Sequence, residues 1–323
     1  MKQLYSCFLK ERLALIPALL FILVSSRVNA QTESDALMIP KNYLCVDAMY
    51  SYSSWDHYWE GTFKRNNLNL GTVSTNMYGL MLNYGITNNL NIIAGAPYVT
   101  THASAGTLAG MKGVQDLTAT IKWRALTFRS GNNRISAFAI GSGVLPLTNY
   151  VSDFLPMSIG LHARSVMLRG MIDYQFKHFF VTGSGMYNLR DNITIDRDAY
   201  YTTTMVYSNQ VDMPNVRSFN ARLGYRSSAF IAEAMIENNT TLGGFDIRKN
   251  DMPFPSNKMN ATAAGVNFKY SLKSGFEFMV GGSRVLAGRN VGQSNMIHGG
   301  VNYLFSLKGK NNKQSQSKPQ QKS

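Results

Sequence analysis

The stretch from Asn83 to Tyr98, NYGITNNLNIIAGAPY, reads as two strands joined by a tight polar turn. Ahead of the turn, Tyr78, Leu80, Leu82, Tyr84 and Ile86 share one face, and Met77, Gly79, Met81 and Asn83 share the other. Beyond Thr87-Asn88-Asn89, Leu90, Ile92, Ala94, Ala96 and Tyr98 alternate with Asn91, Ile93, Gly95 and Pro97. Successive side chains of a strand point to opposite faces, so this hairpin has one uniformly apolar face. Variations of it recur along the chain, which has almost no helical periodicity.

Tyr43 to Trp55 is a plausible first strand of ambiguous facing, followed by a polar connection to about Thr72 and then the hairpin. Asp116 to Leu126 alternates most cleanly: Leu117, Ala119, Ile121, Trp123 and Ala125 oppose Thr118, Thr120, Lys122 and Arg124. Further strands are expected at Ile135 to Leu145, whose facing the pattern leaves open, and in pairs flanking Lys177-His178, Arg226-Ser227-Ser228 and Lys273-Ser274. The last runs from Ser294 to about Leu307. A turn centred between Ser227 and Ser228 would place Arg222 directly opposite Glu233.

Connections alternate long and short, giving about twelve strands, and outward aromatics gather beside the short turns: Tyr84, Tyr174, Phe176, Phe179, Tyr225, Phe230, Tyr270, Phe276 and Tyr303. An even strand number, alternating loops and an aromatic girdle predict an all-β fold, a closed antiparallel transmembrane β-barrel. Lipid offers the backbone no hydrogen-bond partners, so every strand edge must be paired.

Lys2, Lys10 and Arg12 precede an apolar run from Leu13 to Val24 that is too short to span a bilayer, and Val28-Asn29-Ala30 offers small residues for cleavage. Residues 1–30 are therefore read as a signal peptide, 31–42 as an unpaired lead-in, 43–307 as the barrel and 308–323 as a disordered polar tail. Cys45 is the one cysteine left after cleavage, so no intramolecular disulfide can form. The remaining chain has 28 basic and 17 acidic residues, a formal charge of +11. Export makes nucleic acid the least expected partner of that charge; the expected partners are outer-membrane lipid and a small solute.

The stretches YGITNNLNIIAGAPY from Tyr84, GVQDLTATIKWRAL from Gly113 and ISAFAIGSGVLPLTNY from Ile135 resemble, in this order, the outer-membrane family named for the meta-pathway of phenol degradation. Pro146 is followed by Leu147 and Thr148, where that family has Thr and Gly. The resemblance covers roughly Tyr84 to Tyr174. It implies a barrel of the bacterial outer membrane that passes small hydrophobic or aromatic molecules, and it carries no catalytic residue set.

The pore-lining candidates are a charged ladder of Lys122, Arg124, Arg169, Arg222 and Lys269 against Asp173, Glu233, Glu237 and Glu277. Such rungs either fill a narrow barrel or set a transverse field that selects solutes. Met77, Met81, Met167, Met171, Met186 and Met279 project to the same side, beside Gly79, Gly95 and Gly281, and flexible thioethers suit an adaptable apolar passage. The expected function is passive transport without an enzyme activity or a cofactor, with the Arg190 to Asn215 connection as candidate lid. The alternatives are a surface-interaction barrel with a plugged lumen and, more remotely, a lipid hydrolase using His102 and Ser104. Asp191, Asn192, Asp196 and Asp198 form an acidic loop cluster, read as solvated surface ahead of a metal site. Asp56 and His57 are likewise read as polar surface.

Overall fold

The computed structural model describes residues 32–249 and 251–307. The signal-peptide and tail expectations fall on residues outside this range. Twelve long strands form the wall: β1 (Tyr43–Trp55), β2 (Val73–Thr87), β3 (Leu90–Ala103), β4 (Asp116–Ser130), β5 (Asn133–Pro146) and β6 (Ser165–Phe176), then β7 (Phe179–Arg190), β8 (Val216–Arg226), β9 (Phe230–Thr241), β10 (Asn260–Ser271), β11 (Phe276–Arg289) and β12 (Asn295–Ser306). Each pairs antiparallel with its sequence neighbours, and β1 pairs with both β2 and β12, so the sheet closes without an edge.

The alternation noted in the sequence explains the inverted burial. Outward Leu168, Val181 and Ile297 are 59%, 56% and 63% exposed, whereas inward Lys122 and Asp173 are fully buried. An apolar wall around a polar interior suits a lipid solvent, as in transmembrane barrels. The girdle aromatics stand at the short-turn end; Phe179 pairs with Tyr225, and Phe230 with Tyr270.

Short turns lie between β2 and β3, β4 and β5, β6 and β7, β8 and β9, and β10 and β11, where Gly131, Lys177 and Gly275 adopt positive φ. The opposite end carries connections 56–72, 104–115, 147–164, 191–215 and 242–259, so the expected alternation holds there. The sixth, 290–294, is brief because β11 continues to Arg289. Arg222 lies opposite Met235 rather than Glu233. The Ser227 hydroxyl accepts the Ala229 and Phe230 amides, which moves the centre of the turn by one residue and the opposing partner by two.

Candidate functional site

Lys122 opens the lumen from its short-turn end. Its ammonium spends all three donors on the lead-in: the Thr32 carbonyl at 2.8 Å, the Asp35 carbonyl at 2.7 Å and Asp35 Oδ1 at 3.2 Å. Lys269, from the opposite wall, holds Asp35 Oδ2 at 3.2 Å. Arg222 donates to Ser34 Oγ at 2.8 Å while pairing with Glu233 at 2.9 Å. The lead-in is thus no loose arm but a plug folded into the barrel. A local turn shapes it, with the Thr32 and Leu37 amides donating to the Asp35 carboxylate at 2.8 and 3.1 Å.

Burial would push the Asp35 carboxyl up, but Lys122, then Lys269 and those two amides, outweigh it and hold the carboxyl well below the usual carboxylate range. Apolar contacts complete the plug: Ala36 meets Phe138, Ile140 and Met171, and Ile39 covers Cys45. Gly85 lets the chain pass, since a Cβ there would collide with the carbonyl oxygens of Ile39 and Pro40.

Beside the plug, buried Asp173 accepts the Thr182 hydroxyl at 2.6 Å and pairs with Arg226 at 3.2 Å and Arg134 at 3.6 Å. Arg226 stacks on Phe180 at 4.0 Å. Glu277 accepts the Ser271 hydroxyl at 2.5 Å. Higher in the lumen, Arg169 reaches Ser184 Oγ and Met186 Sδ at 3.4 Å each, and Glu237 accepts from Asn220 at 3.0 Å and Asn239 at 2.7 Å. The structure therefore brings together Lys122, Asp173, Arg222, Glu233, Lys269 and Glu277 near the plug, with Arg169 and Glu237 above them. Arg124 differs: next to the bulge at Arg124/Leu126 it clasps the turn, donating to Asn89 Oδ1 at 2.6 Å, and belongs to the rim.

Above the plug the lumen turns to thioether. Met49, Met81, Met235 and Met279 each face a glycine of a neighbouring strand: Gly79, Gly95, Gly265 and Gly300. Met77 and Met167 share the inward face with Ser51 and Ser142, and Met296 with Ser53. Laying flexible side chains over glycine leaves room that can be reshaped.

The far end is narrowed from another direction. Connection 147–164 sends Phe154 and Met157 onto Val73, Leu70, Leu108 and Trp55, and the inward Thr101 hydroxyl donates to the Met157 carbonyl at 2.6 Å. Met157 is fully buried. Connection 191–215, the expected lid, folds as one hairpin with two ladders, 193–194 with 210–211 and, toward its tip, 200–201 with 205–206. It packs against 161–163 and Phe254, building a separate apolar core around Val211 and Tyr200.

Ser104 Oγ accepts the Thr72 amide at 2.8 Å, and His102 stands on the outward face opposite Ser74, so the two do not form a nucleophile–base pair. Among the described residues no three acidic, histidine or cysteine side chains converge as metal ligands. Asn192 donates to Asp212 at 2.7 Å within the loop.

Asp35, Arg134 and Arg226 are charged groups of the site that the strand pattern does not mark. Asp35 sits in a segment without strand periodicity, Arg134 opens the strand of unassigned facing, and Arg226 falls inside the expected turn. The signal for Asp35 is that it and Glu33 are the two acids between the apolar leader and Pro40, in a chain rich in inward cations.

Comparison with known proteins finds no match by sequence among curated proteins. Among solved structures, an outer membrane channel from Pseudomonas putida F1 aligns over 86% of this chain and 100% of its own, with TM-score 0.65 and 16% identity. The NanC porin aligns over 80% of this chain and 98% of its own, with TM-score 0.45 and 10% identity. At such identities the likeness is one of fold. A family model matches residues 68–298, well over half of the chain and including most of the lumen-lining strands. The protein belongs to the family described as "Putative MetA-pathway of phenol degradation".

Proposed function

We propose that the protein is a passive channel of the bacterial outer membrane for a small hydrophobic or aromatic solute, closed at rest by its own lead-in. The short turns, the start of β1 and the end of β12 face the periplasm, and the long connections face outward. The observation that carries this reading is the thioether-over-glycine middle of the lumen, enclosed between a charged plug and an apolar constriction. A purely structural barrel has no need of a deformable interior. No residue set for covalent chemistry enters the reading, and no cofactor is required.

Uptake of a small aromatic solute into liposomes tests it, comparing wild type with a variant lacking residues 32–38. Faster uptake by the shortened protein, with wild type slow but above empty liposomes, is the expected result. If both match empty liposomes, the channel reading fails. The barrel then serves as a surface scaffold, a role that the full engagement of Lys122 by the plug would also fit.

A further inference from the structure

On the twelve long strands the outward face is nearly uncharged, and its arginines lie on one side; across the barrel, the short strand 112–114 beside β3 adds Lys112 opposite Thr100. Arg217 on β8 and Arg284 on β11 both face outward: Arg217 pairs across the sheet with Tyr187 and Thr240, and Arg284 with Ala264 and Asn295. Both are exposed. Neither has an anionic partner among the described residues, whereas Arg289, further along β11, is committed to Asp246 at 2.7 Å.

The two lie at the same height. Arg217 is eight positions from the girdle residue Tyr225 on its strand, and Arg284 eight positions from Phe276. On the two strands between them the same spacing from Phe230 and Tyr270 reaches Asn238 and Thr262. Eight positions along a strand tilted by about 45° rise roughly 19 Å, about 6 Å short of the far edge of an apolar band about 25 Å tall, a gap that an extended arginine side chain spans. Asn238 Nδ2 donates to Thr262 Oγ1 at 2.8 Å, Thr240 donates to Asn238 Oδ1 at 2.8 Å, and Asn260 donates to Thr240 at 2.6 Å. At the equivalent height on β1 to β3 stand Tyr52, Asn76 and Tyr98, an uncharged belt in which Tyr50 donates to Asn76 at 2.8 Å.

We propose that this face of β8 to β11 docks the phosphorylated sugar headgroup of an outer-leaflet glycolipid. Arg217 and Arg284 each take a phosphate, and the amide and hydroxyl row between them meets the sugar. Arg284 is in register with Ala221, four positions from Arg217 and three strands away, so the two backbones stand roughly 20 Å apart. That span suits two phosphates on one headgroup, each met by an extended arginine, better than a single phosphate. Unpaired cations at the edge of a hydrocarbon layer call for an anion at that depth, and a guanidinium binds phosphate oxygens in a fork. The neutral row has donors and acceptors already turned outward. The inference rests on the outer-membrane placement proposed above, and is independent of transport.

The test is binding of diphosphorylated lipid A to the full-length protein in phosphatidylcholine nanodiscs. The Arg217→Gln/Arg284→Gln double variant is expected to bind at least ten-fold more weakly than wild type. Each single variant should fall between, and Lys273→Gln on the short-turn side should match wild type. Heat-modifiable migration on gels establishes that each variant is folded. Equal binding by the double variant and wild type overturns the proposal. So does equal competition by phosphatidylglycerol, which would replace a sugar-phosphate site with general attraction to anionic lipid. Failure to enter nanodiscs at all would instead refute the membrane placement.

Discussion

The two ends of the lumen are closed by opposite means. At the short-turn end a segment preceding the first strand is held by ions: Asp35 between Lys122 and Lys269, with Arg222 on Ser34. At the long-connection end a loop is held by packing: Phe154 and Met157 against Val73 and Leu70. A charge latch depends on its central carboxylate, because removing Asp35 leaves Lys122 buried without the acid it is paired to, while Lys269 keeps the influence of Glu277 and Glu233. An apolar closure loses only the contacts removed. The short-turn closure should therefore release in an all-or-none manner, and the far closure should loosen by degrees.

Asp35→Ala is the strongest test of that contrast. It leaves Lys122 buried without its carboxylate, a loss of about 3–5 kcal/mol by analogy with broken buried pairs. Every 1.4 kcal/mol is about tenfold, so plug release should rise by roughly two to three and a half orders of magnitude. Cys45, covered by Ile39 and 2% exposed, reports it directly. Its labelling by a thiol reagent should go from very slow to complete within the dead time of manual mixing. Labelling that remained slow would show that Ile39 and Ala36, not the ions, hold the plug.

At the other end, Met157→Ala should cost about 2–3 kcal/mol, the low part of the range for truncating a buried methionine. Faster proteolysis within 147–164, with Cys45 labelling unchanged, is the expected pattern. A rise in Cys45 labelling would mean that the two closures are coupled through the methionine-lined middle.

Acid sharpens the comparison because Asp35 holds the short-turn closure through a buried ionised carboxylate, whereas Phe154 and Met157 hold the far one by packing. Asp35 ionises more readily in the folded protein than in the unfolded chain. Its contribution is therefore complete above the ordinary carboxylate range, about pH 4, and is lost as pH falls below it toward the lowered native value. Single-channel opening frequency should thus stay flat from about pH 8 to pH 5, then climb below about pH 4. Asp35→Ala should remove that rise. Openings that already increased near pH 6 would point to a different titrating group.

Wall and plug differ in how far the sequence revealed them. Strand alternation is a strictly local pattern, so β4, with Lys122 opposite Ile121 and Trp123, could be read from eleven residues, and closure followed from loop lengths. Facing failed where both sides are apolar or small. In β5, Phe138 and Ile140 point inward against Ala36 while Ala137 and Ala139 point out, and no period-two contrast separates them. The Asp35 latch was invisible for another reason: its partners lie 87 and 234 positions away, and nothing in TESDALM announces a strand or helix. The methionines were visible individually, but their seating over glycines depends on cross-strand register, which a one-residue shift in turn centre displaces by two, as at Arg222 and Glu233.

Glu237 offers the smallest effect and the cleanest separation of field from scaffold. It stands above the plug and accepts from Asn220 and Asn239, so Glu237→Gln removes a charge while keeping an acceptor and nearly all of the volume. No buried cation is left unpaired by this change, and stability should move by no more than about 0.5 kcal/mol. The field would respond more than the fold does. The middle of the lumen holds Arg169 on β6 as its cation, so neutralising Glu237 leaves that region net positive. With residues 32–38 removed to open the pore, reversal potentials in a salt gradient should shift toward anion preference, while the urea midpoint remains that of the parent. A midpoint that fell instead would place Glu237 with Asp173 and Glu277 among the groups that hold the barrel together.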